Sequence, residues 1–303
     1  MMEFGTGAVP DIRDDRDYEY DHLALGSASF DWEKGFDIER ELGFRLPVKN
    51  QNGSSSCVGQ AFASYGHVLN AAELLPVYLD KTKDFIDELS AKAVYSQISI
   101  GKGKGAYLRD GALNLVKYGA NLERDVPSYN DSKPPKEDFM ISKSWVTPEL
   151  YKLARNYQSK EARMIRARNN IDLMAQAIRD GNGLVMGVKG KNNGTWRRAY
   201  PVKDANIDWA HAMYAGKARM IAGRKYIGAL NSWGGNVGED GWQWFGEEWF
   251  IGNVMFNPWT LIDKRNINFI HFLDRHGKPR RFPAYMMKSI RYMIERRGSR
   301  FIK

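Results

Sequence analysis

The sequence is poor in the residues that build disulfides and metal sites. It has one cysteine, Cys57, and five histidines among 303 residues. One cysteine excludes an intramolecular disulfide, and the histidines form no zinc-binding pattern with it. We therefore expect no metal and no cofactor. The lack of a disulfide framework favours a reducing compartment, which predicts a cytoplasmic location.

Long apolar runs are also absent. No stretch approaches the roughly 18 apolar residues of a membrane-spanning helix. Residues 1–7 lack the basic and then apolar pattern of a signal peptide. An apolar content of 43% with nine tryptophans suffices for a sizeable core, so we expect a folded protein without a membrane span.

Cys57 lies where a buried helix is predicted to begin. Ser55 or Ser56 can cap this helix, and Pro76 predicts that it ends at Leu75. Apolar residues then recur every three or four positions, as on one face of a helix. They are Val58, Ala61, Phe62, Tyr65, Val68, Leu69, Ala72 and Leu75. A cysteine in the first helical turn meets free N–H groups and the positive end of the helix dipole, which favour a thiolate.

Two interpretations of Cys57 follow. Most free cysteines are small, inert, buried residues. A single cysteine with a distant histidine and asparagine is instead a candidate nucleophile with its base and its orienting group. A serine-rich turn precedes Cys57, and His211 and Asn231 lie far downstream, so we favour the second interpretation.

Several segments in the same order resemble the papain-like cysteine peptidases. Gln51 precedes Cys57 by six residues, which is the family's spacing between its glutamine and its catalytic cysteine. His211-Ala212 matches the family's His-Ala motif. Asn231-Ser232-Trp233-Gly234 matches the family's Asn-Ser-Trp-Gly motif in full, and Val237-Gly238-Glu239-Asp240-Gly241-Trp242 approximates the segment that usually follows it. Pro10 to Tyr18 resembles a segment near the start of the prokaryotic and phage-type members. The resemblance extends from about Val9 to about Ile262.

The resemblance implies a papain-like α+β fold with two lobes and an active-site cleft between them. One lobe would be helical, with a central helix, and the other an antiparallel β-sheet or barrel. Cys57, His211 and Asn231 would be catalytic, with the cysteine pKa lowered to about 3–5 by the imidazolium and the helix N-terminus. The Gln51 amide and the Cys57 N–H would form the oxyanion hole, and Trp233 would shield the His–Asn pair from water.

Two features differ from the family. The segment Cys57-Val-Gly-Gln-Ala-Phe62 is two residues longer, from cysteine to phenylalanine, than in many members. There is also no room for the long inhibitory propeptide of lysosomal-type members, so we do not expect activation by its removal. The loop Gly101-Lys-Gly-Lys-Gly105 is a flexible turn or, as the resemblance implies, a wall of the substrate site.

We divide the chain into four regions: an acidic N-terminal arm (1–45), a helical lobe with the nucleophile (46–150), a β-rich lobe with the histidine and asparagine (151–262) and a basic, helical C-terminal tail (263–303). Further helices are predicted from Leu89, over residues 111–118 with Gly119 as the cap, over the basic segment 155–168 and over 171–178. Short strands are predicted at 184–188, 212–214, 219–222, 226–230 and 242–245.

The two ends of the chain carry opposite charge. Residues 1–21 have seven acidic residues against Arg13 and Arg16, and the arm is either a solvated strap or a segment that wraps across the lobes. Residues 264–303 have twelve Lys or Arg against Asp274 and Glu295. The tail is a helix with a solvated basic face, a contact for nucleic acid or an acidic partner, or an anchor in an assembly.

The sequence therefore predicts a cysteine endopeptidase that cleaves protein or peptide substrates through a thioester. The alternative is a structural or binding component of a larger assembly, such as a virion, that keeps the fold and attaches through its charged ends. A complete set of Gln51, Cys57, His211 and Asn231 favours the enzyme. The sequence does not specify the physiological substrate, the activation trigger or the oligomeric state.

Overall fold

The computed structural model describes residues 7–12, 14, 15, 17–21, 29–78, 86–129, 136–252 and 255–262. The basic tail predicted at 263–303 lies outside the described residues. In the described part of the chain, no helix is long and apolar enough to cross a membrane. No group of three or more potential metal-binding side chains occurs there either.

The helices lie mostly in the first half of the chain. They are α1 (Ile38–Leu42), α2 (Cys57–Tyr78), α3 (Ala91–Ile98), α4 (Leu108–Lys117), α5 (Glu137–Ile141), α6 (Pro148–Ala154) and α7 (Ile171–Gly181), with 3-10 turns at Arg155–Tyr157 and Glu247–Phe250. Helix α2 is the central element, because residues on all its sides are buried. It continues through Pro76 to Tyr78, so the predicted end at Leu75 is wrong.

Two glycines explain how α2 packs so closely against the segment that follows it. A Cβ atom on Gly59 would lie 2.5 Å from the Tyr95 Cβ, and one on Gly66 would lie 2.4 Å from Leu89 Cδ1. Gly59 stands in the extra residues between Cys57 and Phe62. The absence of a side chain at Gly59 thus makes room for α3 beside the first turn of α2.

The strands form one large sheet and one small one. They are β1 (Ala8–Val9), β2 (Phe36–Asp37), β3 (Ala106–Tyr107), β4 (Glu161–Met164), β5 (Leu184–Gly190), β6 (Trp209–Ile221), β7 (Arg224–Leu230), β8 (Trp242–Gly246) and β9 (Met255–Ile262). The large sheet has the order β4-β9-β5-β6-β7-β8, and β2 pairs with β6. All its pairings are antiparallel, whereas β1 and β3 pair in parallel.

The sheet lies between two apolar layers, because successive residues of a strand point to opposite faces. Val185 and Tyr214 pack in the core that contains α2. Their neighbours Met186 and Met213 pack in the second core, which contains α7 and several tryptophans. The buried sheet therefore places the ends of β6 and β7 beside the start of α2.

The predicted basic helix over 155–168 is wrong. The α6 segment ends at Ala154, a single 3-10 turn follows, and β4 occupies Glu161–Met164. Ala162 of this strand is buried and pairs with Leu261 of β9. Residues 161–164 are extended because they pair with a strand about a hundred residues later in the chain. The charge pattern of the segment contains no information about that pairing.

The acidic arm contacts both halves of the molecule. Asp11 accepts hydrogen bonds from the Arg109 backbone N–H at 3.0 Å and from Trp259 Nε1 at 2.9 Å. Asp14 and Asp17 bind the Arg109 guanidinium at 2.6 and 2.9 Å. The described part of the arm thus lies across α4 and the sheet. The predicted boundaries of the four regions stay a prediction.

Candidate active site

Cys57 is the first residue of α2 and is fully buried. The backbone N–H groups of Val58, Ala212 and Gly7 surround its sulfur. Val58 belongs to the first turn of α2, where N–H groups have no partner within the helix. Ala212 follows His211 in β6, so the helix and the sheet meet at the cysteine.

Gly7, from the N-terminal arm, is one of these neighbours of the cysteine. Its N–H donates to the Ala210 carbonyl at 3.2 Å, and its carbonyl accepts from the Ala106 N–H at 2.9 Å. A Cβ atom at this position would lie 2.1 Å from the Ser55 carbonyl oxygen. A glycine is therefore required for the arm to occupy the space between α2, β3 and β6.

His211 and Asn231 form a buried pair on neighbouring strand ends. His211 Nε2 lies 3.0 Å from Asn231 Oδ1, and this oxygen also accepts from the Ser232 N–H at 2.7 Å. Since an amide oxygen only accepts, the imidazole carries its proton on Nε2. His211 Nδ1 has no hydrogen-bond partner among the described residues. The neutral ring thus keeps an acceptor nitrogen that is available as a base.

Trp233 covers the histidine. Its ring stacks on His211 with 4.4 Å between centroids and an interplanar angle of 24°. Trp196 and Trp209 pack edge-on against Trp233 at 6.1 and 6.0 Å. This aromatic cluster excludes water from one face of the His211–Asn231 pair, which is the arrangement that the sequence resemblance implies for Trp233.

Gln243 is a site residue that sequence reasoning missed. Its Oε1 accepts from Asn231 Nδ2 at 2.5 Å, and its Nε2 donates to the Trp196 carbonyl at 2.7 Å. These bonds fix which side of the Asn231 amide faces His211. The signal available in the sequence is a polar residue within an apolar run, Trp242-Gln243-Trp244-Phe245, because a polar residue buried in such a strand needs partners.

Gln51 is buried between the cysteine loop and the asparagine loop. Its backbone N–H donates to the Ser232 carbonyl at 2.9 Å, and its Oε1 accepts from Ser232 Oγ at 2.7 Å. Its Nε2 donates to the Ser54 carbonyl at 2.6 Å, which uses one of its two N–H bonds. The second N–H is left for the oxyanion role that the resemblance implies.

Burial reverses the expected protonation of the cysteine and histidine. Loss of solvent raises the pKa of Cys57 from 9.0 to about 12, against the smaller effect of the surrounding N–H groups. Burial also lowers the pKa of His211 from 6.5 to about 4, although its hydrogen bond with Asn231 acts in the other direction. Burial of both groups thus opposes the expected Cys57 pKa of about 3–5 and favours a neutral thiol beside a neutral imidazole.

The fold matches those of solved cysteine proteases. Xylellain, a cysteine protease from Xylella fastidiosa, is 22% identical, with a TM-score of 0.67 over 86% of this chain and 96% of xylellain. Bromelain from Ananas comosus is 18% identical, with a TM-score of 0.57 over 76% of this chain and 99% of bromelain. The fold is papain-like.

A third solved structure is consistent with this result. Procathepsin B from Trypanosoma congolense is 15% identical, with a TM-score of 0.55 over 86% of this chain and 87% of that one. No protein-family model matches the chain, and no curated protein matches its sequence. The papain-like α+β fold predicted from the sequence is confirmed by the structural matches.

Proposed function

We propose that the chain is a cysteine endopeptidase with Cys57, His211 and Asn231 as its catalytic residues. The observation that carries this proposal is the orientation of the imidazole. Asn231 holds Nε2, and Nδ1 is left without a partner in the described part of the chain, while Ala212 places the sulfur next to the same strand position. A base held in this way can accept the proton of the thiol.

The chemistry then follows from these groups. The Cys57 proton passes to His211 Nδ1, and the sulfur attacks a peptide carbonyl. The tetrahedral oxyanion binds the Cys57 N–H and the free N–H of the Gln51 side chain. Loss of one such donor typically costs about 10²–10³ in rate. His211 returns the proton to the leaving amine, and water attacks the thioester to regenerate the thiol.

The arm occupies the site where substrate would bind. Next to the sulfur, the Gly7 N–H donates to the Ala210 carbonyl, and the Gly7 carbonyl accepts from the Ala106 N–H. Gly7 therefore blocks the site without presenting its own carbonyl to the sulfur. We infer that Gly7 and the adjoining strand β1 have to leave before a peptide can enter, and that the backbone groups of Ala106 and Ala210 then bind the peptide.

Incubation of the full chain with a peptide library tests the proposal. We expect cleavage by the wild type or, if β1 holds it closed, by Gly7→Val. Cleavage should be lost in Cys57→Ser and in His211→Ala. The absence of Cys57-dependent cleavage from both the wild type and Gly7→Val would contradict the proposal.

The second candidate function is that of a structural or binding component of a larger assembly, such as a virion. In this case the papain-like cleft stays closed. The covered cysteine is compatible with it. This candidate gains support if Cys57 is alkylated with an ordinary thiol pH profile that His211→Ala does not alter. A cytoplasmic location, and a contact of the basic tail with an acidic partner or nucleic acid, stay proposals.

A further inference from the structure

A carboxylate outside the catalytic set connects two walls of the cleft. Glu137, at the start of α5, accepts a hydrogen bond from the Ser55 N–H at 2.7 Å through Oε2. Its Oε1 accepts from the Gly103 N–H at 3.2 Å and from the Tyr95 hydroxyl at 2.8 Å. Ser55 lies two residues before Cys57, and Gly103 is the tip of the glycine loop.

The glycine loop leads directly into β3, the strand that pairs with the arm. Its turn is closed by hydrogen bonds from Lys104 N to the Gly101 carbonyl and from Ile100 N to the Gly105 carbonyl. The next residue, Ala106, donates its N–H to the arm at Gly7. The position of this loop therefore determines the distance between the peptide-binding backbone and the nucleophile.

Glu137 is itself held firmly. Met140, one turn further along α5, is fully buried, and the Lys92 ammonium lies 3.4 Å from the centroid of the Phe139 ring. Tyr95, its hydroxyl partner, is fully buried on α3. Hydrogen bonds to a carboxylate are stronger than those between neutral groups. The Ser55 and Gly103 N–H groups are therefore both held by one well-anchored side chain.

We propose that Glu137 is a positioning residue for the peptidase reaction, holding the 101–105 loop at the correct distance from Cys57 so that a peptide bound along Ala106 presents its carbonyl to the sulfur. This inference rests on the proposed function. It also explains how the two segments are joined in a chain with no disulfide. The neighbouring Asp138 supplies a matched control, because it binds the same loop through Lys102 at 2.7 Å while both side chains are largely exposed.

The experiment compares two reagents that alkylate Cys57 in the full chain. Iodoacetamide has no peptide to bind, whereas a dipeptidyl chloromethyl ketone uses the cleft wall. In each reaction the sulfur forms a C–S bond, the thiol proton is released, and the carbon–halogen bond breaks as the halide leaves. Neither reagent reaches Cys57 until β1 moves. Because this opening contributes equally to both rate constants, it cancels in their ratio. A structural role without positioning would change both rates together.

We expect Glu137→Gln to lower the ratio of the dipeptidyl rate to the iodoacetamide rate about tenfold, which corresponds to about 1.4 kcal/mol of lost binding. The glutamine has the same shape, but its NH₂ group faces an N–H donor. Asp138→Asn should leave the ratio unchanged, since exposed ion pairs contribute little. Equal ratios for Glu137→Gln and the wild type would overturn the inference, as would an equal loss in Asp138→Asn. If the ratios change as expected in the two variants, but neither the wild type nor Gly7→Val hydrolyses any peptide, the proposed function alone is contradicted.

Discussion

Gln243 orients the Asn231 amide, although it belongs to none of the sequence motifs. Its Oε1 is the acceptor for the buried Asn231 amide at 2.5 Å. We predict that Gln243→Met, which keeps the size of the side chain, lowers the free energy of unfolding by about 1–3 kcal/mol because the Asn231 N–H is left unsatisfied. Urea denaturation measures this loss.

The same substitution should also reduce peptide cleavage. Asn231 no longer holds a single orientation, so the histidine loses its fixed partner, whereas substrate binding along Ala106 is untouched. We expect a lower kcat with little change in KM. A variant with wild-type stability and wild-type kcat would contradict the role given to Gln243.

The burial of His211 predicts a pH dependence of stability. Its pKa is lowered from 6.5 to about 4, so the unfolded chain binds more protons than the folded chain within that window. Stability is fully present above the unfolded value and is lost as the pH falls towards 4. Between pH 6.5 and 4.5 the expected contribution of this one group is about 2 kcal/mol.

Urea denaturation at the two pH values, for the wild type and for His211→Gln, measures that contribution. His67 is also buried with a lowered pKa, which has burial as its main cause, and it adds a loss of the same sign to both proteins. The difference between the two proteins therefore isolates His211. Identical pH dependences would contradict a neutral, buried imidazole.

The catalytic candidates could be predicted from the sequence because each lies in a local motif. Gln51, Cys57, His211 and Asn231 stand beside small or aromatic residues with fixed spacing. Their protonation could not be predicted in this way, since it depends on Gly7 and on burial by distant segments. A helix N-terminus favours a thiolate, but complete desolvation opposes it more strongly here.

The N-terminal strand gives a prediction at the scale of one element. The side chain of Gly7→Val cannot fit beside the Ser55 carbonyl, since even a Cβ atom would approach to 2.1 Å. We expect β1 to leave the cleft and the alkylation rate of Cys57 at neutral pH to rise at least about tenfold, because solvent then reaches the thiol.

Gly235→Ala is the control for this experiment. It is four residues from Asn231, and a Cβ atom there meets nothing within 4 Å. It should leave the alkylation rate unchanged. If Gly7→Val also reacts at the wild-type rate, the strand does not limit access to the cysteine.

Elements formed by local patterns were the ones that the sequence predicted well. The start of α2, the Gly119 cap after α4 and the strands at 226–230 and 242–245 agree with the structure within a few residues. The strands β1, β2, β3, β4 and β9 were not predicted. Two of them show the reason: β1 pairs with Ala106 and β4 with Leu261, partners that are each about a hundred residues away. Such pairings leave no mark in a short window of sequence.

At the scale of the whole molecule, the two halves share one core. The cluster around α2 contains Val58, Phe62 and Val68 from the helical half together with Tyr214 and Leu230 from the sheet. The helical half and the sheet therefore pack on one continuous apolar interior. We expect the described part of the chain to unfold as one cooperative unit rather than lobe by lobe.

Tyr65 is a polar link across this shared core and provides the test. Its hydroxyl lies 2.6 Å from the Gly183 carbonyl and accepts from the Leu261 N–H at 3.0 Å, so helix α2 is bonded to both β9 and the start of β5. Tyr65→Phe keeps the ring and leaves these buried groups short of a partner, which costs about 1–3 kcal/mol. Because the halves are coupled, the loss should move a single transition, followed by tryptophan fluorescence and by helical circular dichroism, to lower urea by the same amount for both probes. Separation of the two curves in the variant would mean that the lobes unfold independently and that Tyr65 only joins two separate units.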